Sequence, residues 1–219
     1  MVERSKLVPL YLADARQTAL HAALGLGAGI MAAAVLQMTC GLYFWFADQT
    51  QALGLITLTL ALPVGVACGG HSRHALARGL FAGLGLALGV ASMGGFFVQA
   101  ASWFSAASLL GAALCGLSRR AALPASLLWL AACALPFFYE RLEGLPLGGN
   151  AREWSAQESP WLGFAQHVFE TDPLHKTFLY FNQLSGLSSA AAIDPMDASR
   201  LWLLALLAMA GALLRPVRA

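Results

Sequence analysis

Charge is scarce in this chain: 13 basic and 11 acidic side chains make up 11% of 219 residues, against about 25% in an ordinary soluble domain. With 58% of the residues apolar, too few charges remain to coat a water-soluble monomer. A net charge of +2 over this length forms no basic stripe, which excludes a nucleic-acid binder. Lysine occurs only at Lys6 and Lys176, and neither follows a glycine-rich loop, so there is no Walker A phosphate cradle and no means of hydrolysing nucleotide alone. The four cysteines, Cys40, Cys68, Cys115 and Cys133, make no closely spaced pair and are read as packing residues. His21 is the only histidine at bilayer depth, so a haem held by two histidines lacks its second ligand; no cofactor is expected.

What is present is a set of stretches free of Asp, Glu, Lys and Arg: Gln17 to Ala47, Gln49 to Gly70, Gly79 to Ser118, Ala121 to Tyr139 and Leu201 to Leu214. A bilayer core of about 30 Å takes about 20 helical residues. The third stretch is long enough for two spans, with the turn expected at Ala101 to Phe104. The last is lengthened by Asp194-Pro195, read as an N-cap acid and a first-turn proline. The fold class is therefore all-α: a polytopic membrane helical bundle of six transmembrane helices, one membrane domain over residues 1–219. Residues 1–17 form a cytoplasmic interfacial helix, 18–139 hold spans one to five, 140–194 an outer-face cap and 195–214 span six. Met1 to Arg16 lacks the apolar core of a cleavable signal peptide, and Leu7, Leu10 and Tyr11 beside Arg4, Lys6 and Arg16 suit the membrane surface.

Orientation follows from the basic residues. Arg4, Lys6, Arg16, Arg73, Arg78, Arg119, Arg120, Arg215 and Arg218, nine of the 13, fall on one side with only Glu3 and Asp14; the other nine acids fall opposite. By the positive-inside rule both termini are cytoplasmic. Tyr43 to Phe46, Phe96-Phe97, Trp103-Phe104, Phe137 to Tyr139 and Trp202 cluster at the opposite ends, as an aromatic belt would. The Ala, Leu and Gly richness points to a bacterial inner membrane.

The outer segment from Glu140 to Arg200 has two legible helix starts. Ser159-Pro160 leads into Trp161, Phe164, Ala165 and Val168; Asp172-Pro173 leads into Leu174, Phe178 and Phe181. Each run is too short to cross the bilayer, and its aromatic face is expected to dip into the outer leaflet or cover the bundle. His167, Glu170, Asp172 and His175 offer nitrogen and oxygen donors but match no metal-site spacing, so no metal is assigned. In the spans, Gly25 and Gly29, and Gly85 and Gly89, stand four apart, which lets helices approach closely. Pro63, Pro124 and Pro136 are candidate kinks in spans two and five.

The lead-in at Val2 to Gln17, six spans, the basic link His71 to Arg78 between spans two and three, and two short aromatic helices before the last span together resemble the membrane subunit of an ABC-2 type transporter. The resemblance implies that the link docks a cytoplasmic ATPase subunit through His71, Arg73, His74 and Arg78. It also implies that Pro160 to Phe169 and Pro173 to Leu184 re-enter the outer leaflet. Independently of the resemblance, the aromatic residues Trp161, Phe164, Phe178 and Phe181 of these two runs are read as an outer-cap interface. Spans without ionisable groups lack the usual apparatus of ion coupling, so such a permease takes its energy from a partner and is not itself an enzyme. Pairing with itself or a similar chain is expected. Two other classes stay open: a non-transporting accessory or assembly subunit of a larger membrane complex, and an intramembrane enzyme or metal protein using His167, Glu170, Asp172 and His175.

Overall fold

The structure, a computed structural model, describes residues 4–43, 49–70, 72–91, 97–134, 157–168 and 196–214. Among these every regular element is a helix: α1 (Arg4–Tyr43), α2 (Gln49–Cys68), α3 (Arg73–Ala91), α4 (Phe97–Leu117), α5 (Arg119–Ala134), α6 (Pro160–Val168) and α7 (Ala198–Leu214). Three helices are long and apolar enough to cross a membrane, over Asp14–Thr39, Arg73–Ala91 and Val98–Leu117; Leu53–Cys68 and Ala198–Leu214 are shorter apolar helices.

α4 is the centre of the bundle, packed against α2, α3, α5, α6 and α7. Beyond the exposed first turn of Val98 and Gln99 its sequence is apolar or small all round, as a helix buried on every side must be, and Ala100, Phe104, Ala106, Ala107, Ala112 and Ala113 are all buried. On one flank α3 crosses it where a β-carbon on Gly83 would overlap the Phe104 carbonyl, and one on Gly79 the Ala112 methyl. On the other, Gly65 of α2 faces the Ser108 carbonyl, Gly111 of α4 faces the Leu62 carbonyl, and the Ser108 hydroxyl donates to the Ala61 carbonyl (2.7 Å). α1 lies outermost, on α3. Gly25 meets the Arg78 carbonyl, Gly29 that of Ala82, Gly85 that of Leu26, and Gly89 the Ala33 side chain. The four glycines spaced by four are thus one shared interface rather than two separate ones, and Gln37 closes it by donating to the Gly89 carbonyl (2.6 Å).

These contacts give the helix directions. Gly25 opposite Arg78 and Ala33 opposite Gly89 make α1 and α3 parallel; Ala61 opposite Ser108 and Gly69 opposite Ala112 do the same for α2 and α4; Gly83 opposite Phe104 and Gly79 opposite Ala112 make α3 and α4 antiparallel. α7 runs with α4, since Trp202 donates to Ser102 (3.0 Å) and Gly211 lies against Leu117. The start of α3, the ends of α2, α4 and α7, and Asp14 of α1 therefore share one end of the bundle; α6 and the start of α7 lie at the other. Away from α3 and α4 the outer faces are apolar and exposed: Leu20, Leu24, Met31, Val35 and Met38 on α1, Leu123, Leu127 and Leu128 on α5, and Leu203, Leu207 and Leu214 on α7. Water would oppose such a surface and lipid tails would not.

Four expectations are corrected. Ala101 to Phe104 form no turn but lie inside α4, because Ala-Ser-Trp-Phe contains no helix breaker; the change of helix falls between Ala91 and Phe97, where the sequence has Gly94-Gly95. Trp103 and Phe104 are correspondingly core residues, 2% and 0% exposed, and not members of an interfacial belt. The lead-in is not a separate surface helix: α1 is continuous from Arg4 through the first apolar stretch, about 60 Å at 1.5 Å per residue. The last helix is capped by Asp197, not by Asp194 with Pro195 at its first position. Asp197 Oδ1 accepts the Arg200 N–H (3.0 Å), the bond an N-cap acid makes three residues on. Pro63 and Pro124 do lie inside helices, α2 and α5; Pro136 is outside the described residues.

Candidate functional sites at the two ends of the bundle

The link between α2 and α3 is built by a cap. Ser72 precedes α3, and the Ala75 N–H lies 3.2 Å from its hydroxyl oxygen and 3.0 Å from its carbonyl oxygen, which starts the helix there. Arg73 and His74 are consequently in the first turn and face α1. Arg73 Nη2 pairs with Asp14 Oδ1 of α1. His74 Nε2 is 3.5 Å from the same oxygen, its Nδ1 is 3.0 Å from Thr18 Oγ1, and its ring is stacked on His21 with centroids 5.5 Å apart. One turn on, Arg78 Nε donates to the Cys68 carbonyl (2.8 Å), satisfying an acceptor at the end of α2.

Of the four expected docking residues, three are thus brought together and tie α1 and α2 to α3; His71 lies outside the described residues. They differ in what they leave open. The Arg73 side chain is 68% exposed, whereas that of His74 is 15% exposed. Arg119 and Arg120, in the first turn of α5, are exposed at the same end. The partners Asp14, Thr18 and His21 are new to the site. Their spacing of four and three places them on one face of α1, and Asp14 is one of only two acids on the basic side of the sequence, which was the available signal.

At the opposite end α6 starts where Ser159-Pro160 predicts, with the Gly163 N–H returning to the Ser159 carbonyl (3.1 Å). α6 is turned inward against α2, α4 and α5. Phe164 is buried between Phe104, stacked at 5.4 Å, and Trp103, edge-on at 5.9 Å. Trp161 Nε1 donates to Thr59 Oγ1 of α2 (2.7 Å), whose hydroxyl donates to the Leu55 carbonyl (2.9 Å). A β-carbon on Gly163 would overlap the Met196 carbonyl, and the Met196 N–H donates to the Gln157 carbonyl (2.8 Å), so the approach to α7 is fastened across the start of α6. The aromatic face of α6 is therefore spent on the chain's own bundle. Phe178 and Phe181, with the expected helix from Pro173 to Leu184, lie outside the described residues.

His167 uses Nδ1–H on the Gly163 carbonyl (2.8 Å), leaving Nε2 as its only other donor atom; Glu170, Asp172 and His175 lie outside the described residues. Among the described residues no three His, Cys, Asp or Glu side chains converge as metal ligands. Cys68, Cys115 and Cys133 are buried free thiols. Asp197, exposed at the start of α7, has its carboxyl held below the usual carboxylate range, chiefly by the Arg200 backbone N–H and then by the Ser199 hydroxyl. No family model, curated protein or solved structure matches the chain.

Proposed function

We propose that the chain is a polytopic inner-membrane subunit of six spans whose basic end is cytoplasmic, and that it acts as the permease of an ABC-type transporter energised by a separate ATPase. The observation that carries this reading is the basic end itself. The α2–α3 link is capped by Ser72, pinned to α1 through Arg73 and Asp14 and to α2 through Arg78 and Cys68, and still exposes most of the Arg73 side chain. A link held on both sides passes force applied to it into three helices at once, which is what docking of a motor subunit requires. The uncharged spans and the lack of a nucleotide cradle leave energy to come from such a partner.

The test has two parts. Single cysteines at Ser72 and Ser118 are labelled by membrane-impermeant maleimide only from the cytoplasmic face, and one at Glu158 only from the outer face. A photo-crosslinker at Arg73 then captures a subunit carrying a Walker A motif. Labelling of Ser72 and Glu158 from one face, or a crosslinked partner without a nucleotide site, removes the reading.

A second reading, a static accessory subunit of a larger membrane complex, is favoured by the glycine contacts, which bring α1 to α3, α3 to α4 and α4 to α2 backbone to backbone. Such interfaces resist sliding. A disulfide between cysteines at Ala61 and Ser108 separates the two: a permease locked across α2 and α4 loses transport, whereas a scaffold keeps its complex.

A further inference from the structure

At the basic end of the α1–α3 interface one hydroxyl decides a histidine's tautomer. Thr18 Oγ1 donates its single proton to the Asp14 carbonyl (3.0 Å), so toward His74 Nδ1, also at 3.0 Å, it has only a lone pair to offer. His74 must therefore donate through Nδ1–H. In the neutral ring Nε2 is then a bare lone pair aimed at a carboxylate oxygen, Asp14 Oδ1, 3.5 Å away. A proton on Nε2 turns that opposition into an ion pair between α3 and α1, beside the one Arg73 already makes to the same oxygen. The His21 ring lies flat against that of His74, at an interplanar angle of 17°, and covers one face of it. Its own Nδ1 is buried without a hydrogen-bond partner, which suits a lone pair better than a donor.

We infer that His74 is a proton-dependent clamp between α1 and α3. Neutral, it is the Nδ1–H tautomer held by Thr18; protonated at Nε2, it also binds Asp14 and tightens α1 onto the start of α3. Over residues 14–39 of α1, 53–68 of α2, 73–91 of α3 and 98–117 of α4, the other charged or titratable side chains are Arg16 of α1, Arg73 and Arg78 of α3, Cys68 of α2 and Cys115 of α4. Arg78 is turned to the Cys68 carbonyl, leaving Asp14 and His21 as the groups that meet the His74 ring. The clamp holds equally for a permease and for a scaffold, so its fate is independent of the proposed function.

The test uses the full chain, labelled with 15N-histidine, in phosphatidylcholine nanodiscs. The His74 signals are assigned with His74→Gln, or by elimination with H21Q, H71Q, H167Q and H175Q should that variant not fold. Across the titration Nδ1 keeps its proton and only Nε2 changes; Thr18→Val shifts the neutral ring toward Nε2–H. Amide exchange over residues 14–25, corrected for the intrinsic pH effect, slows about two- to fivefold from about pH 8 to about pH 5.5, the size of a partly exposed ion pair. Asp14→Asn abolishes this slowing. A neutral Nε2–H tautomer in the unmodified chain, or full pH dependence in Asp14→Asn, overturns the inference.

Discussion

Gly29 of α1 and Ala82 of α3 meet backbone to backbone: a β-carbon on Gly29 would overlap the Ala82 carbonyl oxygen. Neither partner atom is the end of a flexible side chain, so relief requires the helices to separate. Four residues away in each direction the contact repeats, with Gly25 on Arg78 and Ala33 on Gly89. The apolar helices are compatible with a bilayer, and in such a solvent, where apolar surface would gain nothing by leaving it, this close approach would be what holds α1 to the bundle.

Gly29→Ala is accordingly expected to destabilise the protein by about 1–3 kcal/mol, the cost of overpacking a close contact. Gly27→Ala is the control on the same helix, since nothing lies within 4 Å of a β-carbon there. It should be neutral or stabilising by up to about 1 kcal/mol, the helix propensity gained. Unfolding of the two variants in micelles by SDS titration checks this; equal midpoints would mean that α1 does not rest on α3.

Asp197 links the start of α7 to pH. Its carboxyl is held below the usual range by the Arg200 N–H, so the charged cap contributes its stability above the unfolded value of about 3.9 and loses it as pH falls through the lower folded value. Asp197→Ala should cost about 1 kcal/mol at neutral pH. Asp197→Asn, which caps about as well, should keep neutral stability and remove this acid dependence. Thermal unfolding of the three proteins from about pH 6 down to about pH 2.5 is the measurement, and an unchanged acid slope in Asp197→Asn would contradict the assignment.

Phe164 is the anchor of α6, fully enclosed by Phe104, Trp103 and their neighbours. Phe164→Ala should cost about 3–5 kcal/mol and free α6 for proteolysis. Gln166→Ala, on the exposed face two residues on, should stay within about 0.5 kcal/mol. Equal protease resistance of both variants would place α6 away from the core.

Local chemistry was legible because it acts within one turn of chain. Charge-free stretches mark α2 to α5 and α7, Ser159-Pro160 marks the start of α6, and the glycines spaced by four mark a helix contact. Asp194-Pro195 and Asp197 are both acceptable helix starts by that chemistry. The choice fell to Asp197, and the chain just before it is fastened across the start of α6 by the Met196 to Gln157 bond.

By itself the amino-acid sequence determined that the chain is helical and apolar, and that its basic residues sort to alternate ends of its stretches. Tertiary structure decided which helices touch: that α4 is central, that Trp103 and Phe104 receive α6, and that Asp14 and Thr18 meet His74. The physical reason is that an apolar surface does not tell one apolar face from another, and in a bilayer, with which these helices are compatible, all such faces would be nearly equivalent. Partners are then chosen by how closely two backbones can approach and by which few polar groups meet, and both are properties of pairs of helices that no single segment contains.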